Sequence, residues 1–313
     1  MVFPNILIIS SLYDFSTDLV CVELHKLGAC YIRINRDEFK TYNIFFNPIK
    51  PELIIKIKNA EFRITDEHLK TVFYRAPTFL REIFVSDLAE EEQLERTQWA
   101  AFLRSLVVFD RAIWYNNPSD VYKAEIKSYQ LYVASRIGFL VPDTIITNYI
   151  HSNSYKYEKA AIKSIDTALI SNNNEEGFIY TNIYSVNELV NAHYTSPFFI
   201  QEALLPKIDI RVTIVKNTII GIDIRGDDLL DEDWRKYKFH LTYSLIYLPQ
   251  EIESKCIQLM KNLNLNFGAI DLVQVNDKYY FIEINPTGEW SWLQENTGYH
   301  FDILIAKSLM GYE

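Results

Sequence analysis

Glycine is scarce in this chain, nine in 313 residues, and its placement excludes the loops that cradle phosphate with bare backbone. Neither GxxxxGK followed by Ser or Thr, nor GxGxxG, occurs, so there is no Walker loop and no dinucleotide fingerprint. HExxH and GxSxG are also missing, and the six histidines are scattered, which argues against zinc peptidases and triad hydrolases. Cys21, Cys30 and Cys256 form no CxxC pair. An odd set in a chain this long reads as reduced core thiols rather than disulfides. Positive charge is in deficit, with 31 Lys and Arg against 41 Asp and Glu, a net charge of −10. A nucleic-acid partner is therefore not expected, although local basic pockets remain open. No apolar run reaches the length of a membrane span. The first ten residues lack a basic n-region and read as a buried strand, not a signal peptide. Cytoplasm and no membrane are the expectation. The oligomeric state stays open, with a homodimer the commonest soluble assembly.

At 313 residues the chain is long enough for two or three lobes. Its first 80 or so residues alternate short strands and helices: strands at 6–9, 31–34, 53–57 and 72–74, and a helix at 16–27 capped by Ser16 or Thr17 and stopped by Gly28. That is a small α/β lobe. A long helix begins at Ser86 and sets Trp99, Phe102, Leu103 and Leu106 on one face. Asn116-Asn117-Pro118 marks a turn, and one helix from Ser119 to Gly138 follows. A short strand ends at Lys163, and residues 171–177 read as a loop. Strands at 208–215 and 219–224, a charged loop at 227–236, a helix at 251–263 and a closing helix at 301–309 complete the pattern.

The most informative stretch runs from Phe267 to Pro286. Apolar residues flank Asn276-Asp277-Lys278, the signal for a hairpin with a three-residue loop. That loop sets Val275 against Tyr279, Val273 against Phe281 and Asp271 against Glu283, with Asn285 on the same face. Opposed carboxylates are unfavourable unless a cation lies between them. Oxygen donors without Cys or His suit Mg²⁺. A solvated polar hairpin end is the alternative, and the rest of the chain decides. Phosphoryl chemistry needs a divalent ion together with Lys and Arg to neutralise charge. Lys127, Lys163, Lys207, Arg211 and Arg235 are spaced along the chain as candidates, and Arg211 shares a strand face with Asp209 and Thr213.

The order Lys127, Lys163, Gln201-Glu202, Asp209-Ile-Arg211, Asp271, Glu283-Ile-Asn285 resembles the ATP-grasp superfamily. Within it, the chain is similar to the microviridin-type branch, the graspetide macrocyclases of ribosomal peptides. Tyr74-Arg-Ala-Pro77, Trp114-Tyr-Asn-Asn-Pro118, Ala124-Glu-Ile-Lys127-Ser-Tyr-Gln130, Pro142-Asp-Thr-Ile-Ile-Thr-Asn148, Asp233-Trp-Arg235 and the run from Phe281 to Trp290 carry that resemblance. It implies an ATP-grasp fold, α/β and α+β, with an N-terminal α/β lobe (1–117), a central lobe (118–197) and a C-terminal antiparallel-sheet lobe (198–313). It further implies that Lys127 and Lys163 contact ATP phosphates, and that Gln201 and Glu202 lie at the hinge beside adenine. Asp209 falls near ribose or phosphate, Arg211 on the γ-phosphate or acyl phosphate, and Arg235 on the substrate carboxylate or its phosphate. Asp271, Glu283 and Asn285 hold Mg²⁺.

The implied reaction activates an Asp or Glu side chain of a precursor peptide as an acyl phosphate, which a Ser/Thr hydroxyl or Lys amine of the same peptide attacks. The peptide's leader segment is expected on the N-terminal lobe or just after Tyr74-Arg-Ala-Pro77. The alternatives are a ligase adding free amino acids to a carboxylate and a non-catalytic nucleotide- or peptide-binding protein. Two departures stand out: the loop before the hinge is Asn-rich and Gly-poor, and residue 289 is Glu where many relatives carry an amide. Glu289 then either sits near the metal or faces solvent, and solvent is the favoured expectation.

Overall fold

The computed structural model describes residues 1–75, 89–150, 155–166, 169–172, 175–178, 181–189, 193–226 and 241–312. The N-terminal part runs through β1 (Ile6–Ser10), β2 (Tyr31–Asn35), β3 (Asn43–Asn47), β4 (Glu52–Ile57), β5 (Ala60–Thr65), β6 (Thr71–Tyr74) and β7 (Ile113–Tyr115). Four of these make a parallel sheet in the order β2-β1-β6-β7. β1 is apolar on both faces because both are covered: Leu7 and Ile9 join one core cluster, Ile6 and Ile8 another. β3, β4 and β5 form a separate antiparallel sheet, of which only β4 was foreseen.

The Phe15–Lys26 helix is capped not by Ser16 or Thr17 but by Asp14, two residues before Ser16; the Asp14 carboxylate accepts from Thr17 N at 3.0 Å. Gly28 follows it at φ +70°, a conformation that favours glycine. The helix Glu90–Ser105 packs Trp99, Phe102 and Leu103 on the first core cluster, as its periodicity indicates. Ser86, its expected start, lies outside the described residues.

The single helix expected from Ser119 is two helices, Pro118–Ala124 and Lys127–Ile137. Asn117, not Ser119, caps the first, accepting from Ser119 N at 3.0 Å, with Pro118 in the first turn. The break puts Lys127 at a helix start instead of mid-helix. Gln130 fixes that second helix: its side-chain amide donates to Ala124 O and Ile284 O and accepts from Ile284 N. A buried amide bonded to strand backbone ties the Lys127 helix to the hairpin of the candidate site.

The middle of the chain contributes β8 (Thr144–Tyr149), β9 (Lys159–Lys163), β10 (Leu169–Asn172), β11 (Glu175–Phe178), β12 (Asn182–Ser185) and β13 (His193–Glu202). The sheet order is β12-β9-β13-β8, and β10 pairs with β11. Residues 171–177, expected as loop, therefore contain strand: Ser171 is opposite Glu176 and Asn172 opposite Glu175. Backbone pairing makes this hairpin, so its polar sequence hides it.

The last sheet comprises β14 (Ile208–Val215), β15 (Thr218–Gly226), β16 (Leu241–Ile246), β17 (Phe267–Val275) and β18 (Lys278–Asn285), ordered β16-β15-β14-β17-β18 and antiparallel throughout. Ile210, Val212, Ile214, Ile270, Leu272, Phe281 and Ile284 form one core face with residues of the Lys127–Ile137 and Gln250–Asn262 helices. Alternation turns Asp209, Arg211, Thr213, Asp271, Glu283 and Asn285 to the other face.

The β17–β18 hairpin differs from its expected register in an instructive way. The loop has two residues, Asn276 and Asp277, both at positive φ (46° and 62°), so Val275 pairs with Lys278 and Val273 with Tyr280. A bulge beyond Leu272 and Phe281 leaves Ile282 without a partner and brings Asp271 opposite Glu283 after all. The expected pairing of Asp271 and Glu283 holds, but two offsets cancel to produce it.

Candidate active site

Arg211, Asp271 and Glu283 stand in one row across β14, β17 and β18. Arg211 Nη1 donates to Asp271 Oδ1 at 2.8 Å, and Lys127 Nζ reaches within 3.7 Å of Glu283 Oε2 from its helix start. The row thus reads plus, minus, minus, plus. Arg211 is buried, its side chain 8% exposed. Its Nε and the neighbouring Thr213 hydroxyl are buried with no hydrogen-bond partner among the described residues. Gly288 permits this packing, because a Cβ there would lie 2.5 Å from Ala269 Cβ and 2.8 Å from Arg211 Nη2.

Asn116 anchors the far end. Its side chain donates to Phe267 O (2.7 Å) and Pro286 O (2.8 Å) and accepts from Asn266 N and Phe267 N. The start of β17 and the end of β18 are thereby held together.

A cavity of about 150 Å³ opens beside the row. Its walls include Lys127, Lys163, Gln201, Glu202, Lys207, Asp209, Asp271 and Glu283, so eight of the residues singled out by sequence meet in one place. Arg211 lies against it through Asp271. Asn285 sits two pairs along, opposite Ala269, and its Oδ1 accepts from Thr287 N at 3.0 Å. Arg235 lies outside the described residues. Lys163 Nζ donates to Gln201 Oε1 at 2.7 Å, and Gln201 Nε2 donates to Thr144 Oγ1 at 2.9 Å. Lys207, which also lines the cavity, bonds both oxygens of Asp209 at 2.8 Å.

Among the described residues no cluster of three or more His, Cys, Asp and Glu is gathered. Two opposed carboxylates and an amide nonetheless fit Mg²⁺, which takes few protein carboxylates and fills its shell with water and phosphate. Chemically the site offers oxygen donors for a hard cation, flanked by cations able to neutralise phosphate.

Sequence reasoning missed Arg75, Asn116 and Gln130 as site builders, although all three fall inside the stretches that carry the resemblance. Arg75 lies at the end of β6 with its side chain 3% exposed. Its Nε donates to Asp14 Oδ2 (3.2 Å), Nη1 to Thr287 O (3.2 Å) and Nη2 to Glu289 Oε1 (2.5 Å). Glu289 also accepts from the Ser16 hydroxyl, and its carbonyl accepts from Arg211 Nη2 at 3.4 Å. The expectation that Glu289 simply faces solvent is therefore corrected: it is half exposed but paired. Burial pushes the Asp14 carboxyl up, but Arg75 and the bonds from Thr17 and Ser10 outweigh it, so its pKa falls below the ordinary carboxylate value.

Solved structures show the same architecture over nearly the full chain. The D-alanyl-alanine synthetase A of Vibrio cholerae O1 is 8% identical, covers 99% of this chain and 98% of its own, and superposes with a TM-score of 0.56. The chain has the ATP-grasp ligase fold. Within that class it is similar to the RiPP-associated ATP-grasp ligase of Chryseobacterium gregarium, solved with ADP and a leader and core peptide: 26% identity, 99% of this chain, 97% of that one, TM-score 0.79. It is also similar to the macrocyclase MdnC of Microcystis aeruginosa, bound with precursor peptide MdnA: 24% identity, 98% and 99% coverage, TM-score 0.81. No family model matches the chain, and no curated protein does.

Proposed function

We propose that this protein is an ADP-forming ligase that macrocyclises a ribosomal precursor peptide. The observation that carries this reading is the charge row from Lys127 through Glu283 and Asp271 to Arg211, beside a cavity lined by the other nucleotide candidates. Similarity to ligases solved with ADP and leader and core peptide supports the substrate class.

ATP occupies the cavity between the middle and C-terminal sheets, with Lys127 and Lys163 on its phosphates. Gln201 and Glu202 stand at the base edge, and Asp209 near ribose or phosphate. Asp271, Glu283 and Asn285 would hold Mg²⁺, which would supply charge neutralisation for the phosphates. Arg211 stabilises the transferred phosphoryl group and the acyl phosphate, and Arg235 meets the substrate carboxylate. Phosphate leaves an Asp or Glu side chain as a Ser/Thr hydroxyl or Lys amine attacks, so an ester or amide forms without an enzyme nucleophile. The proposed lobe boundaries are 117/118 and 197/198, the second of which falls within β13 (His193–Glu202). Among the described residues no helix is long and apolar enough to cross a membrane. We place the work in the cytoplasm and without nucleic acid, and leave the oligomeric state open, a homodimer included.

The test uses Glu283→Gln and Asn285→Ala with a precursor peptide, ATP and Mg²⁺. Both variants retain peptide binding and lose cross-linking. Full cross-linking in both contradicts the metal assignment.

A further inference from the structure

The parallel sheet order β2-β1-β6-β7 has a switch point between β1 and β6: the chain leaves β1 toward β2 on one side, while β6 adds on the other. Ligands of open α/β sheets bind in the crevice at the carboxyl ends of the strands flanking such a point. Here those ends are Ser10 and Tyr74, followed directly by the 11–14 turn and by Arg75. The crevice floor is the Arg75 guanidinium, almost wholly buried, with two of its nitrogens held by Asp14 and Thr287 O. Its third nitrogen, Nη2, donates to a carboxylate that is 56% exposed, that of Glu289. The Ser16 hydroxyl donates to the other oxygen of the same carboxylate.

A buried guanidinium and a hydroxyl, both directed at one half-exposed carboxylate, form a carboxylate-recognition site. Leu12, Tyr13 and Phe15, which adjoin it, are 51%, 86% and 67% exposed. Exposed apolar side chains beside a charged floor suit a peptide better than a small free acid. The site also touches the reaction row, since the backbone carbonyl of Glu289 accepts from Arg211.

We propose that Arg75 and Ser16 bind an acidic side chain of the peptide substrate, and that Glu289 is its internal stand-in, displaced when the peptide docks. This rests on the peptide-ligase reading for the identity of the ligand, but not for the existence of the subsite. Asp14 keeps the guanidinium oriented after Glu289 leaves.

The probe is a glutamate residue capped at both ends (N-acetyl-glutamate N-methylamide), followed by ligand-observed NMR on the full chain without ATP. Its uncharged glutamine counterpart is the control. Glu289→Ala should bind the capped glutamate about tenfold tighter than wild type, the scale of one charge-assisted hydrogen bond, and should not bind the glutamine compound more tightly. Adding Ser16→Ala to Glu289→Ala, or Arg75→Met where that variant folds, should remove the gain. Equal binding of the capped glutamate by wild type and Glu289→Ala, no binding by either, or equal gains for both compounds overturns the proposal. Because the assay needs no turnover, a protein that fails to consume ATP leaves its result intact, and the two readings fail separately.

Discussion

The row Arg211–Asp271–Glu283–Lys127 carries two positive and two negative charges and is already neutral. Free Mg²⁺ must therefore displace a partner from each carboxylate it takes. Two unit charges about 4 Å apart attract by about 4 kcal/mol at the effective dielectric of a partly exposed site. Lys127 and Glu283 are at 3.7 Å and each 25% exposed, so that figure is an upper scale for what Mg²⁺ alone must offset. On the proposed reading nucleotide changes the balance, because its phosphates would take over Lys127 and Arg211 and leave the carboxylates to the metal. Mg²⁺ alone should thus barely move the urea midpoint, while MgATP at about a hundred times its Kd should stabilise by about 2.7 kcal/mol. Lys127→Met separates the two effects. If water restores about two-thirds of the lost attraction, about 1.4 kcal/mol remains, and Mg²⁺ alone should bind about tenfold tighter to the variant while ATP binds more weakly. The reasoning is refuted if Mg²⁺ alone stabilises wild type as much as MgATP does, or if Lys127→Met leaves Mg²⁺ affinity unchanged.

Three further outcomes follow from local geometry. Gly288→Ala forces a Cβ against Ala269 and Arg211, and should cost about 1–3 kcal/mol in urea melts as well as lowering phosphoryl transfer; an unchanged melt contradicts the close packing. The folded pKa of Asp14 lies below its unfolded value of about 3.9, so its contribution is present above that value and is lost as pH falls through the folded pKa. Asp14→Asn should therefore flatten the acid side of the stability–pH curve, and a curve as steep as wild type contradicts it. Burial pushes the Cys256 thiol up to about 12, whereas Cys30 is exposed, so a thiol reagent should label Cys30 first and Cys256 only on unfolding; early labelling of Cys256 contradicts its burial.

Much of the site was legible because it follows alternation. Asp209, Arg211 and Thr213 share a face for the same reason that Ile210, Val212 and Ile214 share the core. The closing helix Phe301–Leu309 and the strand Ile208–Val215 were readable to the residue, since each is apolar at its own period. What period alone cannot reveal is backbone detail. The two-residue turn at Asn276-Asp277 and the bulge at Ile282 each shift the register, and only their cancellation preserved the Asp271–Glu283 pair. Of the three cysteines read as core thiols, Cys256 does lie on a helix core face, whereas Cys30 lies just beyond a turn and is exposed. Arg75 and Glu289 were hidden because their meeting joins residues 214 positions apart. No local pattern encodes such a contact, and a lone Glu after Gly reads as solvated.

The central claim is that the ATP site serves to join side chains within one peptide. Its most direct test is mass spectrometry of a precursor peptide bearing Ser, Thr or Lys together with Asp or Glu, incubated with the protein, ATP and Mg²⁺. Loss of one water per cross-link, with one ADP formed for each, is the expected result. A peptide that gains the mass of an amino acid, or ADP formed with no change in peptide mass, contradicts it.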